Sequence, residues 1–142
     1  PNEKVLLRDG QVFTIGDIQI ECFLVPGHTW GHMVYLLDGR YLLTGDAIWL
    51  GADGGYSFLA SLAEDNRLAV RALAAFEAKL RARGLRPLVI TGHTGYSSDL
   101  DFVFSHCDLC CKTSDKRYFN PAAPYDAYDE SEDTEARAVV PL

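Results

Sequence analysis

Between Lys4 and Val25 short apolar and β-branched runs are broken by two turn dipeptides, Asp9-Gly10 and Gly16-Asp17. Runs of that length between turn signals predict strands. Met33–Leu37 and Tyr41–Thr44 continue the pattern across Asp38-Gly39, a strong hairpin signal. "LGADGGYS" at 50–57 reads as a glycine-rich loop. The period then changes. Ala69, Leu73, Phe76 and Leu80 recur at the 4-3-4 spacing of an amphipathic helix, and Ser61 and Glu64 are placed for a capping box ahead of it. Gly84 closes that helix and Pro87 bars its continuation. Pro87–Thr91 predicts a short buried strand, and a second helix is expected from near Ser98, with Leu100, Phe104, Cys107 and Cys111 on one face. Antiparallel strands, helix, strand, helix describe an α+β, mixed α/β layered unit.

Beyond residue 113, "NPAAPYDAYDESEDTEA" has no core-forming period, so the chain divides into a folded unit over 1–112 and an acidic extension over 113–142. The 142 residues, 48% of them hydrophobic, suffice for one domain with a packed core. The net charge of −7 disfavours a nucleic-acid backbone or an anionic membrane as a high-affinity partner, since no basic cluster displaces counterions. No apolar run approaches the ~20 residues of a membrane span. The acidic extension reads as a solvated tail, with a docking arm as the alternative. Adjacent Cys110 and Cys111 do not resemble a disulfide framework, so free thiols in a reducing compartment, and hence a cytoplasmic protein, are expected. Cys107-x-x-Cys110 with Cys111 and His106 is a candidate zinc cluster that lacks a second ligand pair; helical core packing explains Cys107 and Cys111 as well.

Three residues share one placement. His28 follows the run ending at Val25 after Pro26-Gly27; Asp46 follows Tyr41–Thr44 after Gly45; His93 follows Pro87–Thr91 after Gly92. Each is a metal-binding side chain, lies just past an apolar strand and has a glycine immediately before it. That pattern arises where strands of one sheet deliver ligands to a common rim, and glycine lets the backbone turn and approach closely. Imidazoles suit zinc or iron, and a carboxylate with two oxygens can bridge two ions. A histidine or aspartate in a loop is by itself as well explained by turn chemistry. The threefold recurrence is what points to a metal.

"VPGHTWGH" at 25–32, "LLTGDAIW" at 42–49 and "ITGHTGY" at 90–96, in this order, closely resemble the three C-terminal motifs of the metallo-β-lactamase-fold hydrolases, which include hydroxyacylglutathione hydrolases and lactonases. The resemblance covers residues 4 to about 112. It implies the C-terminal half of an αββα sandwich, with His28 binding a first metal, Asp46 bridging and His93 binding a second. The ions would be zinc, with iron or manganese as alternatives. His32 matches a position that is not a ligand, and its implied role is to brace the turn by hydrogen bonding. The implied reaction is attack of a hydroxide held between the metals on the ester, thioester or lactone carbonyl of a small-molecule substrate, with Asp46 as the catalytic carboxylate. Trp49, Tyr56 and Phe58 could line the pocket or simply pack the loop. Tyr96 could donate to an oxyanion, with a structural role as the alternative.

The chain departs from that family in one respect. No His-x-His-x-Asp-His string is present, the chain opens on Pro1, and its one methionine is Met33. The expectation is a hydrolase half, inactive alone, whose N-terminal half has been removed or is supplied by another chain. Its metal site would be empty or partly filled, and an uncovered sheet face would self-associate or bind the missing segment. The competing expectation is a non-catalytic interaction module acting through that face or the acidic tail.

Overall fold

A computed structural model describes residues 3–58, 62–111 and 118–119. The chain runs β1 (Val12–Ile15), β2 (Ile18–Leu24), β3 (Met33–Leu37), β4 (Tyr41–Gly45), β5 (Ile48–Gly51), β6 (Gly54–Ser57), α1 (Asn66–Ala82), β7 (Leu88–Thr91), β8 (Tyr96–Ser97), α2 (Leu100–Val103), β9 (His106–Cys111) and β10 (Tyr118–Phe119). Two sheets result, one of six strands in the order β1-β2-β3-β4-β7-β8 and one of four in the order β10-β9-β6-β5. The first four strands pair antiparallel, and β7 joins parallel to β4. That parallel step needs a long crossover, supplied by the β5–β6 hairpin and α1.

The turn chemistry read from the sequence holds at Asp38-Gly39. Both residues take left-handed φ (50° and 66°) and the pairing closes from Leu37 to Arg40, as a two-residue hairpin turn requires. On the inward face of the six-stranded sheet, Phe23, Val34, Leu36, Leu42 and Val89 are buried, and they meet Leu73, Phe76 and Leu80 of α1 in one core. Phe23 and Phe76 pack edge to face at 5.1 Å. At the far end of α1, Arg83 makes two hydrogen bonds to the Glu21 carboxylate, at 2.7 and 2.8 Å, strapping the helix to β2.

Four sequence expectations need correction. The run before Asp9-Gly10 forms no strand, and the first strand begins at Val12. The N-cap of α1 is Asp65, whose carboxylate accepts from the Leu68 amide at 2.9 Å; Glu64 is engaged elsewhere, and Ser61 lies outside the described residues. Residues 50–57 are no loop but the hairpin β5–β6. Its glycines serve close packing: a Cβ on Gly55 would stand 1.6 Å from the Val103 carbonyl oxygen, so only glycine lets β6 pass beneath α2. The second helix is a single turn. Its Leu100–Val103 segment ends at Phe104, and His106–Cys111 form β9, paired parallel to β6. Ladder bonds to β6 outweigh the local helical period. Of the acidic extension, Tyr118–Phe119 pair with β9, and the rest lies outside the described residues. No helix among the described residues is long and apolar enough to cross a membrane.

Candidate metal centre

β4 and β7 lie side by side in parallel, so their C-terminal ends reach the same rim. The Gly92 amide donates to the Gly45 carbonyl at 2.9 Å, and this bond places Asp46 and His93, the residue after each glycine, next to one another. His28 arrives from the loop between β2 and β3, which is closed at its base by Val25 N–H to His32 O at 2.9 Å.

The structure brings all three residues together. His28 Nε2 lies 3.2 Å from Asp46 Oδ2, and His93 Nε2 lies 3.1 Å from Asp46 Oδ1. Each oxygen of the one carboxylate therefore faces a different imidazole. The site opens to solvent on the His93 side, whose side chain is 60% exposed against 19% for His28. Phe58 is buried and covers the other side, its ring centroid 5.1 Å from His28 and 5.7 Å from His93. Trp49 packs on Phe58 at 5.8 Å. Tyr56 belongs elsewhere, since its hydroxyl donates to Asp53 at 2.8 Å and its ring stacks on His106. Tyr96 sits opposite Ile90 on β8 with its side chain largely in solvent.

His32 braces the loop as expected: its Nε2 donates to the Thr44 carbonyl at 2.9 Å. Thr44 is fully buried and its hydroxyl donates to Ile90 O at 3.4 Å, so the brace extends from the His28 loop across β4 to β7. Cys22, Cys107 and Cys110 are buried and form no disulfide. Burial pushes the Cys107 thiol far above its ordinary range, and it donates to Val103 O at 3.4 Å, so it stays a protonated core thiol rather than a metal-binding thiolate. The Cys111 side chain lies outside the described residues.

The donors suit zinc in type and spacing. Bonds of ~2.0–2.1 Å at a tetrahedral angle put neighbouring ligand atoms about 3.3 Å apart, close to the two N···O separations seen here. The number of donors falls short. The three side chains form two pairs sharing Asp46, and among the described residues no three His, Cys, Asp or Glu side chains are grouped to hold one ion. His28 Nδ1 is buried without a hydrogen-bond partner, where a liganding imidazole ordinarily donates its second N–H. Each oxygen of Asp46 thus pairs with one imidazole, two donors where a structural zinc takes four.

No protein-family model matches the chain. Over 61 residues it is 43% identical to the probable polyketide biosynthesis zinc-dependent hydrolase BaeB of Bacillus velezensis, covering 43% of this chain and 27% of that protein. ETHE1 from Myxococcus xanthus superposes with a TM-score of 0.52 at 23% identity, over 66% of this chain and 40% of that one. A metallo-β-lactamase from Staphylococcus aureus superposes with a TM-score of 0.51 at 18% identity, over 72% and 30%. The fold is part of the metallo-β-lactamase fold. The chain spans well under half the length of each of these proteins. Within the part it shares with that fold, the two sheets and α1 match the layered unit expected from the sequence.

Two contributors escaped sequence reasoning. Thr44 looks like any strand threonine, and only the β4–β7 pairing gives its hydroxyl a partner. Phe58 was weighed only as a pocket or packing residue, and nothing local signals that its ring spans both imidazoles.

Proposed function

We propose that the chain carries part of the centre of a zinc-dependent hydrolase, with His28 and His93 as ligands to two ions and Asp46 shared between them. The observation that carries this reading is the division of the Asp46 carboxylate, one oxygen to each imidazole. Bound divalent ions, zinc first and iron or manganese as alternatives, supply Lewis-acid activation of water and of a carbonyl. Asp46 holds the two imidazoles in register, His32 and Thr44 fix the strand ends, and Phe58 keeps water off the inner side of both rings. The open His93 side admits a small molecule bearing an ester, thioester or lactone carbonyl. With two protein ligands per ion, the remaining donors come from residues other than these three, and the chain by itself is inactive.

Zinc titration by calorimetry tests this directly. The wild-type chain is expected to bind weakly, Asp46→Ala to lose binding entirely, and His28→Ala and His93→Ala to lose one ion each. Unchanged binding in the Asp46 variant would refute the shared-carboxylate assignment.

One further observation favours the interaction-module reading. On the outward face of the six-stranded sheet, the registers align Tyr35, Leu43, Ile90 and Tyr96 in one row beside Leu37 and Tyr41, with no charged side chain among them. Leu43, Tyr41 and Tyr96 are 36%, 43% and 69% exposed. Four strands at ~4.8 Å and four residues at ~3.3 Å make a face about 19 Å by 13 Å. Two such faces bury about 500 Å², well below the ~1,200 Å² of a stable specific interface, so the occupant we assign is a second copy of this chain, weakly held. Light scattering across protein concentrations should show a dimer that Leu43→Lys abolishes; a monomer at every concentration sinks this reading.

A further inference from the structure

We propose that Glu64 is a positioning residue for His28, a role that rests on the metal-centre reading above. Three hydrogen bonds run from residues 64–65 to the loop that carries His28. The Glu64 amide donates to the His28 carbonyl at 3.1 Å, the Asp65 amide donates to the Gly27 carbonyl at 2.9 Å, and the Glu64 carboxylate accepts the Trp30 amide. The loop is thus held on both sides of the histidine by one short segment.

That segment does not float. Asp65 is the N-cap of α1, so the clamp is continuous with a 17-residue helix whose Leu73, Phe76 and Leu80 are buried in the core. Beneath the loop, Gly27 lies so close to this helix that a Cβ there would stand 2.3 Å from Ala69 Cα. The loop's own side chains give it little hold, because Trp30 is 61% exposed. Its other side-chain tether is at the far end, from His32 to Thr44. The Asp65 amide therefore holds the arc before His28, at Gly27, and the Glu64 carboxylate and His32 hold it after, at Trp30 and at its far end.

The sensitivity of the site explains why this matters. His28 Nε2 stands 3.2 Å from Asp46, and a displacement of about 1 Å would end that contact. Glu64 is itself exposed, so its removal costs little buried surface. Its effect is on where the loop sits rather than on whether the chain folds.

The test compares Glu64→Ala and Glu64→Gln in the full chain by three measurements: the ring ¹⁵N–¹H correlations of His28, zinc affinity and the melting temperature. The amide oxygen of glutamine can still accept the Trp30 N–H. Glu64→Ala is expected to shift or broaden the His28 ring signals and to weaken zinc binding about tenfold, the scale for outer ligand supports. Glu64→Gln should restore both, with melting temperatures of the two variants close together. His28 signals in Glu64→Ala that superimpose on wild type overturn the proposal, as does a glutamine variant that fails to rescue them. If the wild-type chain takes up no zinc, the metal-centre reading fails, and the His28 signals still decide the role of Glu64.

Discussion

One methyl group at Gly92 should disarm the site without unfolding the chain. Gly92 does not adopt a left-handed backbone, so alanine meets no conformational penalty there. The cost is steric. A Cβ would stand 2.7 Å from Asp46 Oδ1 and 3.2 Å from the carbonyl carbon and oxygen of Gly45. Two relaxations are open. The Asp46 carboxylate can swing off its rotamer, at about 0.5–1.5 kcal/mol, giving up its 3.1 Å contact with His93. Alternatively the ends of β4 and β7 can part, losing the bond from Gly92 N–H to Gly45 O, worth about 0.5–1.5 kcal/mol. Either route costs about 1 kcal/mol, against the 5–15 kcal/mol typical of a domain, and lowers the melting temperature by roughly 4–8 °C. Both routes separate the Asp46 oxygen from His93, so zinc affinity should fall at least about tenfold. Gly31→Ala is the control: nothing lies within 4 Å of a Cβ there, and both readouts should match wild type. Calorimetric zinc titration and thermal melts of the three proteins decide the matter. A Gly92→Ala chain with wild-type affinity and melting temperature would show that Asp46 does not occupy the place described.

Two further outcomes bear on the scaffold. Arg83 reaches both oxygens of Glu21 and lies over the Phe23 ring at 5.9 Å, while its head stays partly in solvent. A double-mutant cycle with Arg83→Met and Glu21→Gln should give a coupling of about 0.5–1 kcal/mol that shrinks in 1 M salt; zero coupling at low salt would mean the strap adds nothing to stability. Cys107 makes stability depend on alkaline pH. Burial raises its folded-state pKa, so above the ordinary thiol value near ~8.5 the unfolded chain releases a proton that the folded chain keeps. Stability from this group is complete below that pH and declines as pH rises through it, by up to about 1.4 kcal/mol per pH unit. Urea titrations at pH 7 and 9.5 should show a smaller decline in Cys107→Ala than in wild type, and equal declines would remove the thiol as the cause.

The three proposed ligands were legible because each is placed by its own few residues. A strand end, a glycine and a polar side chain are adjacent in sequence, and the structure shows why the glycine is needed in all three cases: Gly45 has a left-handed backbone (φ 53°) with the His32 ring against it. At Gly27 a Cβ would collide with α1, and at Gly92 it would collide with Asp46 itself. The hairpin at Asp38-Gly39 was legible for the same reason, since both left-handed residues lie within the turn. The supports of the site were less so. Thr44, Phe58 and Glu64 act on partners 46, 30 and 34 residues away. No spacing rule within one element reaches that far.

The two largest errors, over 50–57 and over 104–111, have one cause. Leu100, Phe104, Cys107 and Cys111 fit a helical stripe, and the structure buries Leu100, Phe104 and Cys107 by one helical turn followed by a strand. Burial of those side chains cannot distinguish the two solutions. Backbone satisfaction can. Every residue of β6 is buried, and its hairpin partner β5 uses only one of its edges. An unpaired buried N–H or C=O costs about 1–3 kcal/mol, so the other edge demands a strand. β9 is that strand, through the pairs Tyr56 with His106 and Ser57 with Cys110. Once Gly54 and Gly55 are taken as loop glycines, β6 vanishes, its open edge vanishes with it, and nothing remains to pull 106–111 out of a helix. Recognising glycine as the residue that lets a strand pass under α2 restores the edge, and the edge in turn dictates β9.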